Sequence, residues 1–181
     1  MTEYSHENCI KFKKNKVLLS FDCSGFVQFY FCQLCKERAF QEIKNFLYQT
    51  KGLSPLNIKR FYAADFVAFL KADTRRQFWQ KVDPLNFQKG DLIVYASQND
   101  QNRGRHCMLV DRILDQNENE IHLYVVDSTK HRHDDDTRSV GQKGIGRGKI
   151  VLYRGTDKVW NQFLWRRHIY TRDMIFARIK E

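Results

Sequence analysis

Short β-type runs crowd the C-terminal half of this chain and are nearly absent from the half before it. Leu92-Ile93-Val94-Tyr95, Cys107-Met108-Leu109-Val110, Leu123-Tyr124-Val125-Val126, Ile150-Val151-Leu152-Tyr153 and Met174-Ile175-Phe176-Ala177 are separated by turn-rich or charged segments. Gln116-Asn117-Glu118-Asn119 reads as a hairpin tip between two of them. Earlier, Lys36 to Tyr48 carries Ala39, Phe40, Ile43, Phe46 and Leu47 at helical spacing, and Lys51-Gly52 with Ser54-Pro55 reads as a stop and turn. Phe61 to Lys71 and Arg75 to Val82 are two further helical patterns. Helices first and antiparallel strands later predict an α+β fold with an early helix packed on the sheet. A length of 181 residues suits one domain over 1–181, with 36–83 as a helical elaboration.

That early helix has a marked start. From Phe26 to Cys35 the residues are apolar on nearly every face, which predicts a buried helix. Asp22 is a good N-cap, able to accept the backbone N–H of Ser24 or Gly25. Cys23 then occupies the first helical position, where unpaired N–H groups and the helix dipole favour thiolate over thiol. The charge of Asp22 pushes the other way, so a histidine partner is required. Gly25 leaves room for a substrate or partner strand to approach. Two readings of Cys23 stand on these residues: a nucleophile, or a core cysteine, since free cysteine is among the most buried residue types.

A cysteine nucleophile needs a base in hydrogen-bond reach and a third group to orient that base. Of six histidines, His106 opens a β run just after the Gly104-Arg105 turn. On strand alternation it shares a face with Met108 and Val110, while Cys107 points to the other. The next strand ends at Asp127, which shares parity with Val125 and Leu123 and so can lie beside His106. His122 has the opposite parity and falls outside the site, and a loop histidine, His131 or His133, is the alternative to Asp127 as third residue.

Phe21-Asp22-Cys23-Ser24-Gly25-Phe26-Val27, then Lys89-Gly90-Asp91-Leu92-Ile93-Val94-Tyr95, then His106 opening a strand, resemble in order and type the NlpC-type cell-wall peptidases, a papain-like cysteine peptidase family. The resemblance covers roughly residues 17–128. It implies a cysteine-bearing helix packed on an antiparallel sheet that carries the histidine. It also implies hydrolysis of peptidoglycan stem peptides, with Asp22 and Ser24 holding the substrate's amino end. The chain departs from the family in four places, one of them the stretch 36–83, which is longer and more helical than the family's. The aromatic, glycine-rich lead-in is replaced by Asn15-Lys16-Val17-Leu18-Leu19-Ser20, the third polar residue is Asp127 where the family most often has His, and no wall-binding repeat is attached.

Composition bounds the partners. The formal net charge of +10 predicts attraction to anionic surfaces such as an acidic wall polymer, lipid headgroups or nucleic acid. No apolar run reaches the roughly 18 residues of a membrane span, and Met1 to Asn15 lacks the pattern of a signal peptide. The chain reads as soluble, and as cytoplasmic if complete; a chain trimmed of its leader would read the same, so export stays open. Five cysteines without regular spacing argue for reduced thiols, and Cys32-x-x-Cys35 reads as core packing.

Three other segments invite chemistry and are read without it. His131-Arg132-His133-Asp134-Asp135-Asp136 matches no defined metal spacing and reads as a polar loop whose acids pair with Arg138 and Arg132. Gly144-Ile145-Gly146-Arg147-Gly148 precedes a strand instead of opening a helix, so it reads as a flexible loop near the site and not a phosphate cradle. Trp160 and Trp165 read as packed under a terminal helix, with Arg166-Arg167-His168 solvated, and no nucleic-acid binding is expected. The expected chemistry is amide cleavage through a thioacyl-enzyme by Cys23, His106 and Asp127, with no cofactor or metal. An acyl or amide transferase acting on a protein or lipid, and a non-enzymatic basic binding protein, are the alternatives.

Overall fold

The computed structural model describes residues 2–13, 16–34, 36–73, 75–96 and 105–180. Lys14, Asn15, Cys35 and Gly104 lie outside them. The basic N-terminal lead-in forms a small sheet: β1 (Thr2–Glu3) runs parallel to β3 (Lys16–Ser20), which pairs antiparallel with β2 (Cys9–Lys13). Three helices follow, α1 (Cys23–Gln33), α2 (Glu37–Lys51) and α3 (Ala63–Lys71). Each obeys a local rule. Asp22 caps α1, Gly52 ends α2 in the left-handed conformation at φ 66°, and the Asp65 side chain accepts the Tyr62 N–H at the start of α3 at 2.9 Å.

The remaining strands are β4 (Trp79–Lys81), β5 (Leu92–Ala96), β6 (His106–Gln116), β7 (Glu120–Thr129), β8 (Gly144–Arg154), β9 (Trp160–Trp165), β10 (His168–Thr171) and β11 (Asp173–Ile179). They form one curled antiparallel sheet in the order β10-β9-β8-β7-β6-β5-β11-β4. The fold is therefore α+β, and every β-type run of the C-terminal half lies in this sheet. The hairpin tip falls where expected, between Gln116 and Glu120.

Strand alternation divides the apolar side chains between two cores. Leu92, Val94, Cys107, Leu109, Ile175 and Ala177 face the helices, where they join Phe21, Val27, Phe31, Phe40, Phe66 and Trp79. Ile93, Tyr95, Met108, Val110 and Phe176 face the other way, with Leu123, Val125, Leu152 and Phe163. Helix α1 lies on β6 and β7, and α3 lies on β5 and β11. The first turn of α1 is thus set against the strands that carry His106 and Asp127. No helix among the described residues is long and apolar enough to cross a membrane.

Three segments differ from the sequence reading. Arg75 to Val82 is not helical: Trp79–Lys81 is an edge strand on β11, and the Trp79 indole is buried with its N–H given to Ala39 O at 2.9 Å. The pairing and that buried indole override a short apolar period that a helix would also fit. Gly144–Gly148 is not a loop but the first half of β8, paired residue by residue with Val125–Thr129. Among the described residues no terminal helix covers the tryptophans, and β9 to β11 stand where it was expected; Trp160 packs in the second core, and Arg166 and Arg167 take positive φ in the β9–β10 turn.

Candidate active site

Asp22 Oδ1 accepts the Gly25 N–H at 2.8 Å and the Ser24 hydroxyl at 3.2 Å, which closes the first turn of α1 and puts Cys23 at its first position. The backbone N–H of Cys23 is among the donors that a helix start leaves without intrahelical partners. The carboxylate's other oxygen, Oδ2, faces Arg60 at 3.0 Å and His6 Nδ1 at 3.1 Å. Asp22 and Ser24, expected to hold a substrate's amino end, are both buried, and both oxygens of Asp22 already have partners within the chain. The space over Gly25 is also filled: a Cβ there would fall 2.2 Å from Asn8 Oδ1, the atom that accepts the Asp22 N–H at 2.8 Å. The missing side chain admits the turn before β2, not a substrate.

The thiol of Cys23 lies within interaction range of the side chains of Cys107 and His106. These consecutive residues of β6 point to opposite faces, and Cys23 meets both at the strand's first residues, where α1 begins. His106 Nε2 bonds Asp127 Oδ2 at 2.6 Å, so its other ring nitrogen, Nδ1, is the one left for Cys23. Asp127 is fully buried. The structure therefore brings Cys23, His106 and Asp127 together, and it leaves His122 apart beside Glu120.

Electrostatics favour an ion pair. The Cys23 thiol is held well below its ordinary range by the hydrogen bond with Cys107 and by the charge and hydrogen bond of His106, against burial and the Asp22 charge. Burial alone would lower His106, but the Cys23 charge and the bond to Asp127 outweigh it and push the imidazole up to about 10. Burial opposes the charge on Asp127, yet His133 and His106 hold its carboxyl well below the usual carboxylate range. Both shifts favour thiolate and imidazolium over the neutral pair. Two phenols share the field. Tyr4 is pushed up to about 12 by burial and then by the charges of Cys23 and Asp22, and Tyr95, whose ring lies 5.9 Å from that of His106, is raised chiefly by burial.

No family model, curated protein or solved structure matches this chain.

Two more residues complete the site's geometry: His133, expected only as an alternative to Asp127 and found beside it, and Arg138, expected only as a partner of loop acids. His133 Nε2 lies 2.7 Å from Asp127 Oδ2, the same oxygen that holds His106. Arg138, 2% exposed, faces Asp127 Oδ1 at 3.1 Å without hydrogen-bond alignment, pairs with Asp136, and donates to Gly144 O at 2.9 Å. The Asp136–Arg138 pairing was expected of a polar loop; the burial of His133 and Arg138 against Asp127 was not. The glycines of β8 were the available sign. A Cβ at Gly146 would meet Arg138 Nε at 2.4 Å, and one at Gly148 would meet His133 Cβ at 2.3 Å, so this face of β8 is bare because the loop lies on it. His131 stays outside, its ring 5.9 Å from that of Trp165.

His106, Asp127 and His133 present ligand atoms within 4.8 Å of one another, the distance expected of a metal cluster. Their 2.6 and 2.7 Å separations are hydrogen-bond lengths, shorter than the roughly 3.3 Å between ligands of a tetrahedral zinc ion with bonds near 2.0 Å. Arg138 adds positive charge at the same carboxylate. The donor set fits a hydrogen-bonded relay and does not fit an ion. Beside it, a cavity of about 150 Å³ is walled by Tyr95, Phe163 and Trp165, with Arg105 and His131 at its exposed edge. A larger cleft of about 560 Å³, lined by Tyr30, Lys89, Gly90 and Arg178, contains none of the three residues of the thiol site.

Proposed function

We propose that this chain is a papain-like cysteine hydrolase of NlpC type that cleaves an amide bond through a thioacyl-enzyme. The observation that carries the reading is the chain of contacts from the helix-start thiol of Cys23 through His106 to buried Asp127. The Cys23 thiolate attacks the carbonyl carbon, and the carbonyl's π electrons move to oxygen. The Cys23 backbone N–H at the start of α1 is the natural donor to that oxyanion. The tetrahedral species collapses as imidazolium His106 gives its proton to the leaving amine, which leaves a thioester. Water then attacks the thioester while His106 takes its proton, and the thiolate departs. Asp127 holds the Nε2–H tautomer of His106 throughout, keeping Nδ1 turned to the sulfur.

Peptidoglycan stem peptides are the substrate class this reading favours, and the net charge of +10 would draw the protein to an anionic wall. One observation supports a second reading on the same scaffold, a transferase or deamidase acting on a protein or lipid. With Asp22 bound to Arg60 and His6, the carboxylate that would hold a free stem-peptide amine is occupied. The test is incubation with defined muropeptides and mass analysis of products, with Cys23→Ala as control and an alkylating probe reporting on Cys23. Cleavage lost in Cys23→Ala supports hydrolysis. Absence of cleavage while Cys23 still reacts moves the assignment to the second reading, which amine acceptors and product analysis then test.

A further inference from the structure

Asp127 accepts two imidazoles on one oxygen. His106 Nε2 lies 2.6 Å and His133 Nε2 2.7 Å from Oδ2. A carboxylate offers only acceptors, so in both contacts the ring nitrogen is the donor, and both histidines are Nε2–H tautomers or imidazolium. His133 is itself held from two sides: its backbone N–H goes to Asp136 Oδ2 at 2.7 Å, and Arg138 clamps Asp136 from the other side. Its remaining nitrogen, Nδ1, is buried with no hydrogen-bond partner among the described residues, so the polar contact that orders the ring there is the one to Asp127. Gly148 completes the arrangement, because any side chain there would push the His133 Cβ away.

We propose that His133 is a positioning residue for the Cys23–His106 pair: it locks Asp127 Oδ2 in the orientation that receives His106 Nε2–H and keeps His106 Nδ1 on the thiol. The proposal rests on the hydrolase reading of Cys23 and adds to it a fourth member that never touches substrate. A carboxylate free to rotate could swing away from His106 toward Arg138. With His133 on the same oxygen, that rotation breaks two hydrogen bonds at once. The charged and titratable groups around His133 are Asp127 on β7, His106 on β6, and Asp136 and Arg138 of its own loop, with Arg105 and His131 across the cavity.

The test is the pH profile of Cys23 alkylation by iodoacetamide in the full chain, which needs no substrate. His133→Phe keeps the bulk and removes the donor. His106 imidazolium is then less well supported, the thiolate loses part of its partner, and the acid limb of reactivity moves up by about one pH unit toward that of an ordinary thiol. His133→Gln restores a donor and returns the limb most of the way. A limb unmoved in His133→Phe overturns the proposal and leaves the hydrolase reading intact. A Cys23 no more reactive than the other cysteines in the unmodified protein refutes the hydrolase reading itself. If His133→Phe does not fold, the ring ¹⁵N spectrum of the unmodified protein decides. His133 should carry its proton on Nε2, and an Nδ1–H tautomer overturns the proposal.

Discussion

Removing the Asp22 side chain should lower stability while making Cys23 a better nucleophile at low pH. The carboxylate caps α1 through Gly25 N–H at 2.8 Å, and an N-cap replaced by alanine costs about 1 kcal/mol. It also receives Arg60 at 3.0 Å in a contact where Asp22 is 5% and Arg60 22% exposed, and a hydrogen bond to a charged group is worth roughly 1.5–3 kcal/mol. His6 is 65% exposed and adds little. Discounting the Arg60 contact for its partial exposure, Asp22→Ala should destabilise by roughly 2–3 kcal/mol, or about 4–12 °C in Tm for a chain of this size. Asp22→Asn keeps a capping acceptor and should lose less. In both variants the negative charge that opposes thiolate formation is gone, so the acid limb of Cys23 alkylation moves to lower pH. Urea denaturation and the alkylation profile measure the two effects separately. A variant as stable as the unmodified protein, or a limb moved to higher pH, would refute this account of Asp22. The same variants judge its role toward substrate. If the carboxylate also serves a stem peptide's amine, Asp22→Asn raises KM for amino-terminal substrates over blocked ones by roughly 1.5–3 kcal/mol; equal effects on both make Asp22 purely a cap and pin.

His106 should titrate near pH 10 when its ring protons are followed by NMR, and the midpoint should fall in Cys23→Ala, because the Cys23 charge is the largest influence raising it; a midpoint near 6.5 in the unmodified protein refutes the ion pair. Arg138→Met should cost about 3–5 kcal/mol at neutral pH, since it leaves the Asp136 carboxylate without its cation and takes away the charge that faces the buried Asp127 beside its two histidines. The carboxyls of Asp127 and Asp136 are both lowered in the fold, so their contribution is present above the ordinary carboxylate pKa and is lost as pH falls below it. The gap between Arg138→Met and the unmodified protein should therefore narrow in acid, as followed by circular dichroism; a gap that is constant with pH contradicts the pairing.

The parts of the site that were legible in the sequence are those fixed by local geometry. An N-cap acid, a cysteine after it and a long apolar run specify a helix start, and Asp22, Cys23 and the Gly25 N–H sit as that rule requires. Strand alternation put His106 on one face and Cys107 on the other, and placed Asp127 on the face of His106. Alternation could not show that Cys107, packed toward the helices, also touches the Cys23 thiol, since that depends on where α1 lies along β6. It likewise gave no hint that Asn8 would fill the space over Gly25.

Arg75 to Val82 shows the limit of periodicity from another side. Phe78, Trp79 and Val82 can be spaced as a helix face, but Trp79–Lys81 pairs with Ala177–Ile179, and no local pattern encodes a partner so distant in the chain. The segment from His131 to Gly148 is a sharper case, because a local signal was present and pointed elsewhere. Gly144, Gly146 and Gly148 recur at every second residue, the period of one face of a strand. A strand that lacks side chains on one face buries nothing there by itself, and glycine weakens it, so such a face calls for another piece of chain in contact with it. Over Gly146 and Gly148 that piece is the loop of His133 and Arg138, which seats both side chains against Asp127, and over Gly144 it is the backbone of Glu3 in β1. The acids and histidines of that loop lack metal spacing because their geometry answers to a carboxylate on the neighbouring strand. Gly146, Gly148 and the His133-to-Arg138 segment are therefore one device, and a substitution in either half should act on Cys23 through Asp127.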